Sequence, residues 1–138
     1  MSEDSLALLV YGDEETFGEL RKVLQSLGIL SLRANTYEDA RRELRKASLP
    51  KLVFTSTEFP DGNWEDIVRL AAGASEPVQV IVVRRFVDLK LYIQAIQSGA
   101  FDFIVPPFLP PDLAHVVRCA TQNRPGRSEP MKRQAAPT

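Results

Sequence analysis

Several residues that could do chemistry follow apolar runs of the sequence, at the points where strands of a parallel sheet would end. Asp13 comes soon after the first run. Ser56 ends a later run, Glu58 lies just beyond it, and Arg84 follows the next. Carboxylates such as those of Asp13 and Glu58 are the hard oxygen donors that Mg²⁺ prefers, and a guanidinium group can replace a cation beside them. A serine hydroxyl with neither metal nor base beside it is a poor nucleophile. The chemistry of such a site therefore depends on which of these side chains the fold brings together.

The elements that would position these residues alternate between strands and helices. Apolar runs and alternation predict five strands, at Leu6–Val10, Ile29–Arg33, Lys51–Ser56, Val78–Val83 and Phe101–Val105. Helical spacing predicts five helices, at Glu14–Leu27, Tyr37–Ala47, from beyond Gly62 to about Ala72, Val87–Ser98 and Leu113–Thr121. Strands that alternate with helices predict an α/β fold, a (βα)5 doubly wound five-stranded parallel sheet of flavodoxin-like or CheY-like type. We expect the strand order 2-1-3-4-5, with the site at the carboxyl ends of strands one, three and four.

Several boundary residues support this reading. Gly28 and Gly99 can end helices in a left-handed conformation, and Thr36 and Asp112 are suited to cap the helices that follow them. The segment Phe59-Pro60-Asp61-Gly62 has the residue types of a turn. We therefore expect short, well-defined connections at both ends of the sheet.

Composition limits the classes of protein and of partner. We expect one domain over residues 1–121 and a disordered tail or linker over 122–138, where periodicity is lost. Residues 1–120 hold 13 Lys and Arg against 17 Asp and Glu, a balance of −4, so we expect no nucleic-acid partner for this domain. The sequence shows neither a membrane-length apolar run nor the features of a secretory signal, and Cys119 is the single cysteine. These features favour a cytoplasmic protein without a membrane partner.

The sequence resembles the receiver domains of two-component response regulators over about residues 5–121. The segments that carry the resemblance are Leu8-Leu9-Val10, then Pro50-Lys51-Leu52-Val53-Phe54 with Phe59-Pro60-Asp61-Gly62, and Gly99-Ala100-Phe101-Asp102-Phe103 with Pro107-Phe108. In that family, a histidine kinase transfers a phosphoryl group to an aspartate at the end of strand three. The transfer needs Mg²⁺ held by an acidic pair, a hydroxyl on strand four and a lysine on strand five. The resemblance implies a CheY-like fold and a signalling role.

The site residues of the family are replaced in this chain. The acidic pair falls on Tyr11 and Gly12, and the phosphoacceptor falls on Ser56. Arg84 stands at the position of the hydroxyl, and Pro106 stands at that of the lysine. Phe103 occupies the aromatic position whose rotamer reports activation, and Trp64 replaces the glycine usually found after strand three. The resemblance therefore implies a pseudo-receiver without Mg²⁺ or another cofactor and without enzymatic activity. We expect it to act through protein contacts, independently of phosphorylation.

Other interpretations stay open at this point. A one-residue slip would bring Asp13, perhaps with Glu58, to the metal position as a pocket acid, and the chain would then be an unorthodox receiver. Arg84 would either replace the metal and pair with these acids or point to solvent, and Ser56 could accept phosphate from a serine kinase. A flavodoxin-like ligand-binding domain is the remaining alternative, although carboxylates at residues 13–15 would repel a phosphate after strand one.

The resemblance also implies partners and a surface for them. A histidine kinase or an output domain is the expected type of partner. The face formed by helix four, strand five and helix five is where receivers pair, so we expect a homodimer there. Its members would include Val87, Leu91, Tyr92, Phe108 and Leu109.

Overall fold

A five-stranded parallel sheet forms the centre of the domain. The computed structural model describes residues 6–12, 14–46 and 52–122. The strands are β1 (Leu6–Val10), β2 (Leu30–Ala34), β3 (Leu52–Thr55), β4 (Glu58–Phe59), β5 (Gly62–Asn63), β6 (Gln79–Val83) and β7 (Asp102–Ile104). The parallel sheet has the order β2-β1-β3-β6-β7. Counted over its own five strands this order is 2-1-3-4-5, so the predicted doubly wound topology is confirmed.

Five helices cover the two faces of the sheet. They are α1 (Glu14–Ser26), α2 (Tyr37–Leu44), α3 (Trp64–Ala72), α4 (Leu89–Gln97) and α5 (Pro110–Thr121). One core cluster joins α1 and α5 to the face of β1 that carries Ala7 and Leu9. The other joins α2, α3 and α4 to the face that carries Leu8 and Val10. The continuous apolar run of β1 is therefore explained by burial on both sides.

The register brings the carboxyl ends of the central strands together. Val10 pairs with both Ala34 of β2 and Thr55 of β3, and Thr55 also pairs with Val82 of β6. The residues that follow these strands therefore meet at one edge of the sheet, as the sequence predicts for a candidate site.

The segment predicted as a turn is a small antiparallel hairpin, in which β4 pairs with β5 through Glu58 and Asn63. Asp61 in its loop caps α2 from a distance, because its carboxylate accepts hydrogen bonds from the backbone N–H groups of Tyr37 (2.7 Å) and Glu38 (3.1 Å). A Cβ at Gly62 would lie 2.8 Å from Oδ2 of Asp66, so a larger residue there would require the Asp66 side chain to move. The predicted turn lies where it was expected, but the sequence did not predict that β4 and β5 on either side of it pair as strands.

Several helix boundaries differ from the prediction. Asp112 is not the cap of the last helix: α5 begins at Pro110, three residues before the predicted start at Leu113, and Leu109 precedes it without a side-chain cap. Two prolines suit the first helical positions because their missing N–H groups would have no intrahelical partner there. Helix α4 begins at Leu89 rather than Val87, and Asp88 caps it.

Other boundary residues behave as predicted. Thr36 caps α2 by accepting a hydrogen bond from the backbone N–H of Asp39 at 3.1 Å. Gly28 and Gly99 have φ angles of +80° and +112°, which side chains rarely tolerate. The ends predicted at Ala47 and Lys51 lie outside the described residues, as does the predicted tail beyond residue 122.

Candidate functional site

The carboxyl edge of the sheet holds a cleft of about 390 Å³ that gathers several of the predicted site residues. Gly12, Ser56, Glu58 and Arg84 all line it. Asp13, the acid that a shifted alignment would place here, lies outside the described residues. The sequence therefore predicted where the cleft lies, and four of the residues that were named from the sequence line it.

Tyr11, at the first acidic position, packs into the core. It is fully buried in the cluster between the sheet and helices α1 and α5. Its ring stacks on Phe17 with centroids 4.4 Å apart and planes 8° from parallel. The guanidinium carbon of Arg33 lies 4.2 Å from the centre of the Tyr11 ring. The Tyr11 hydroxyl is buried without a hydrogen-bond partner among the described residues. This position therefore contributes packing rather than an oxygen ligand.

Gly12 is exposed and supplies no side chain to the cleft. A Cβ built at Gly12 would have no atom within 4 Å, so the position is open to a larger residue. The chain therefore has room for the second acid of the resembled site and carries none.

Ser56, at the phosphoacceptor position, is half-buried and has no base as a partner among the described residues. Its hydroxyl donates a long hydrogen bond of 3.4 Å to the backbone carbonyl of Glu58. Its backbone N–H donates to the carbonyl of Val10 at 2.9 Å. The serine thus satisfies backbone groups at the strand end, which gives its oxygen no increased nucleophilicity.

Arg84 and Arg85 place two cations at the mouth of the cleft, and both are exposed. Arg85 lies 3.6 Å from the carboxylate of Glu15 at the start of α1. Arg84 makes no ion pair with any acid of the described ranges, and its backbone N–H donates to Ile104 at 3.1 Å. Glu58 lines the same cleft without an ion pair to Arg84, so of the two alternatives for Arg84 the pairing with Glu58 is not observed.

A second cleft of about 380 Å³ adjoins the first. The two share Thr57, Glu58 and Arg84 as lining residues. Trp64 forms part of the wall of the second cleft and is buried as the first residue of α3. Trp64 therefore packs at the start of α3 and also borders the second cleft.

The remaining positions of the resembled site lie on β7. Pro106 is half-buried just beyond the strand, and the peptide bond from Pro106 to Pro107 is cis. Phe103 is fully buried and meets the ring of Tyr92 edge-on, with centroids 6.0 Å apart and planes at 82°. An amine from strand five is therefore missing at this edge, and the aromatic position is held inside the core.

The described residues at this edge offer few ligands for Mg²⁺. The ion demands near-octahedral oxygen ligands, usually including one or two carboxylates. The described lining of the first cleft provides one carboxylate, that of Glu58, and two arginines whose charges would oppose a cation. Within residues 6–12, 14–46 and 52–122, no group of three His, Cys, Asp or Glu side chains could hold a metal ion.

Some features of the site region were not found from the sequence. Thr16 and Thr57 line the first cleft, and Thr16 is largely buried. On α5, the sulfur of Cys119 lies 3.7 Å from Nε2 of His115, one helical turn away. The i, i+4 spacing could have revealed this pair, but Cys119 is buried and its contact lies outside the site.

The chain is similar to response regulators in sequence and to receiver domains in fold. No protein-family model matches it. Its sequence is 24% identical over 129 residues to the response regulator protein TmoT of Ectopseudomonas mendocina, covering 92% of this chain and 57% of that protein. It is 25% identical over 108 residues to the transcriptional regulatory protein CitB of Klebsiella pneumoniae, covering 75% of this chain and 45% of that protein. The chain thus spans about half the length of these curated relatives.

Solved structures show the same fold. The beryllofluoride-activated NtrC4 receiver domain dimer superposes with a TM-score of 0.73 at 20% identity, covering 86% of this chain and 98% of that one. The CheY-like receiver fold predicted from the sequence is therefore confirmed. The similarity to response regulators confirms the predicted resemblance to the two-component signalling family. None of the helices in the described ranges has the length and apolar character of a membrane span.

Proposed function

We propose that this receiver-type domain signals through protein contacts and does not depend on phosphorylation. The observation that carries the proposal is the position of Tyr11. Where the resembled site needs an acid, this side chain is stacked in the core between Phe17 and Arg33. Metal-dependent phosphoryl transfer lacks its ion-binding group at that point.

The acceptor position supports the same proposal. An acyl phosphate needs a carboxylate, and Ser56 offers a hydroxyl whose only described side-chain partner is a carbonyl oxygen. A serine phosphate formed by another route would also lack the amine that Pro106 replaces. We infer that the domain has no catalytic activity and needs no metal or cofactor.

The switch positions support a fixed conformation. In the resembled mechanism, a strand-four hydroxyl moves toward the phosphoryl group, and the strand-five aromatic follows it. Here Arg84 points from the strand end into the clefts, and Phe103 is buried against Tyr92. The proposed domain therefore displays one constant surface to its partner.

The face around α4 is the proposed dimer surface. Its exposed apolar side chains are Val87, Leu89, Ile93 and Leu109. Phe108 is not available there, because it is buried in the core cluster, and Leu91 and Tyr92 are half-buried against the other cluster. The solved NtrC4 receiver domain is a dimer. We propose a homodimer through this face, with a histidine kinase or output domain as the further partner, in the cytoplasm.

Intact-mass spectrometry tests the independence from phosphorylation. The purified protein is incubated with acetyl phosphate and Mg²⁺, and we expect no gain of a phosphoryl group. The matched control is the variant G12D/S56D, which restores one metal acid and the acceptor. The open surroundings of Gly12 and the half-burial of Ser56 permit both changes. A stable phosphoryl adduct on the unmodified chain would overturn the proposal and favour the unorthodox receiver.

Metal binding is tested separately with the single tryptophan. Trp64 lines the second cleft, next to the residues that it shares with the first. We expect its fluorescence to stay constant as Mg²⁺ is added to the unmodified chain and to change in the G12D/S56D variant. A saturable change in the unmodified chain would show that the ion binds here despite the missing ligands.

A further inference from the structure

The two clefts at the carboxyl edge of the sheet adjoin each other at shared residues, and we refer to the pair as the groove. They are about 390 and 380 Å³ in volume and share Thr57, Glu58 and Arg84. One end of the groove lies beside the start of α1, and the other lies against α3 and α4. A compact ion would occupy only a small part of this space, whereas an extended chain segment could follow its length.

Arg84 occupies the centre of the groove with its charge available. It lines both halves, is exposed and makes no ion pair with an acid of the described ranges. A planar guanidinium group matches a carboxylate in a two-point hydrogen bond, with more geometric specificity than an ammonium group. An acidic side chain from another molecule would therefore supply the partner that the described chain does not.

The other charged residues of the lining carry both signs. Lys90 adds a cation in one half, whereas Arg85 in the other half lies 3.6 Å from the carboxylate of Glu15. Of the acids, Asp88 caps α4 by accepting the backbone N–H of Leu91 at 3.1 Å, and the positive end of the helix offsets part of its charge. Glu58 is exposed and opposes an incoming anion. Removing the charge of Glu58 should therefore strengthen the binding of an acidic ligand, whereas removing the charge of Arg84 should weaken it.

Apolar surface lies at both ends of the groove. Phe86 is 72% exposed at the end near α1, with the guanidinium carbon of Arg85 5.7 Å from the centre of its ring. The other end has the buried Trp64 and the half-buried Leu91 in its wall. Exposed aromatic side chains beside arginines are typical anchors of protein interfaces.

We propose that this groove binds an extended acidic segment of a partner protein. A carboxylate of the segment pairs with Arg84, and an adjacent apolar side chain packs on Phe86. The inference rests on the proposed function as a protein-interaction module, and it adds a second docking surface, separate from the proposed dimer face around α4.

Nuclear magnetic resonance of the labelled chain tests this groove. The probe is a pentapeptide with blocked ends, alanine-glutamate-phenylalanine-glutamate-alanine, and the matched probe has glutamine in place of both glutamates. We expect saturable shifts of backbone amides in both halves of the groove, with Ser56, Arg84 and Phe86 among them. The glutamine peptide should bind more weakly, since it lacks the charges that face Arg84.

Three variants separate the groove from general electrostatic attraction. R84Q should weaken binding of the acidic peptide by roughly 1.4-fold to fivefold, the range for an exposed ion pair. R118Q, on the exposed surface of α5, should leave the affinity unchanged. E58Q should strengthen binding, a gain that unfolding of the variant could not produce.

The outcomes distinguish the inference from its rivals. Equal binding by the chain and its R84Q variant would overturn it, as would shifts confined to α4. Inorganic phosphate that produces the same shifts as the peptide would also overturn it, in favour of a compact oxyanion site. A failure of peptide binding with no phosphoryl adduct would overturn the groove alone, whereas an adduct would overturn the proposed function.

Discussion

Replacing Tyr11 separates what its ring contributes to stability from what its hydroxyl contributes. In Y11A, a fully buried ring is lost from the cluster between the sheet, α1 and α5. Deletion of a buried aromatic side chain costs about 3–5 kcal/mol, and that figure already includes the stack on Phe17. The guanidinium group of Arg33 adds about 0.5–1 kcal/mol where it remains in contact with solvent. We therefore expect Y11A to lower the free energy of unfolding by about 4 kcal/mol.

Y11F should have the opposite sign. The Tyr11 hydroxyl is buried without a hydrogen-bond partner among the described residues, so its removal relieves a desolvation cost. Such a cost is about 1–3 kcal/mol, and a partial gain of about 1 kcal/mol is expected after the lost dispersion contacts. For a domain of this size, that gain corresponds to a rise in melting temperature of roughly 4 °C.

Urea unfolding followed by Trp64 fluorescence and by circular dichroism measures both changes. Coincidence of the two signals would justify a two-state treatment. Y37F is the matched control, because Tyr37 is half-buried and its change should stay within about 0.5 kcal/mol. A loss of more than about 1 kcal/mol in Y11F would refute the reasoning, since it would show that the hydroxyl makes a favourable hydrogen bond.

The other predictions concern helix capping, thiol accessibility and acid stability. D61A should lower the unfolding free energy by about 1–2 kcal/mol in urea titrations, because Asp61 caps α2 from the hairpin, whereas D112A should change it little; equal losses would contradict the capping assignment. Cys119 should react with a thiol reagent only as fast as the chain unfolds, since it is buried, and fast labelling of the native protein would contradict its placement. Hydrogen bonds to Arg41 and Arg42 lower the pKa values of Glu38 and Asp39 from their ordinary 4.5 and 3.8. Their small, salt-sensitive contribution to folding stability should therefore be present above the ordinary pKa values and be lost as the pH falls through the lowered pKa values. Melting curves of E38Q/D39N should lack that part of the stability loss at acid pH.

The fold could be predicted from the sequence because its signals are local. The apolar run of β1 and the helix stop at Gly99 each depend on neighbours in the chain, and they locate elements to within one or two residues. The hairpin of β4 and β5 could not be predicted in the same way. It depends on Asp61 reaching the end of α2, a contact between residues 24 positions apart.

The direction in which the site side chains point was harder to predict from the sequence than their position at the edge of the sheet. Alternation along a strand continues past its last hydrogen bond, and this places Tyr11 on the same face as Ala7 and Leu9, where α1 covers it. From the sequence, Glu58 and Arg84 could equally be paired or apart, because both have long side chains at a solvent edge. The structure separates them, and the consequence is a cation without a partner among the described residues.

The substitutions at the site are therefore of two physical kinds. Gly12 and Ser56 have free space or partial exposure around them, so an acid at either position could be introduced without disturbing the core. Tyr11 differs, because an aspartate there would leave a cavity beside Phe17 and place a carboxylate near apolar side chains. An acid at Gly12 could thus be introduced by mutation with little loss of stability. At Tyr11, by contrast, an acid would remove part of the core packing of the domain. That coupling between an altered site and a stable core is what a receiver fold retained for binding alone would need.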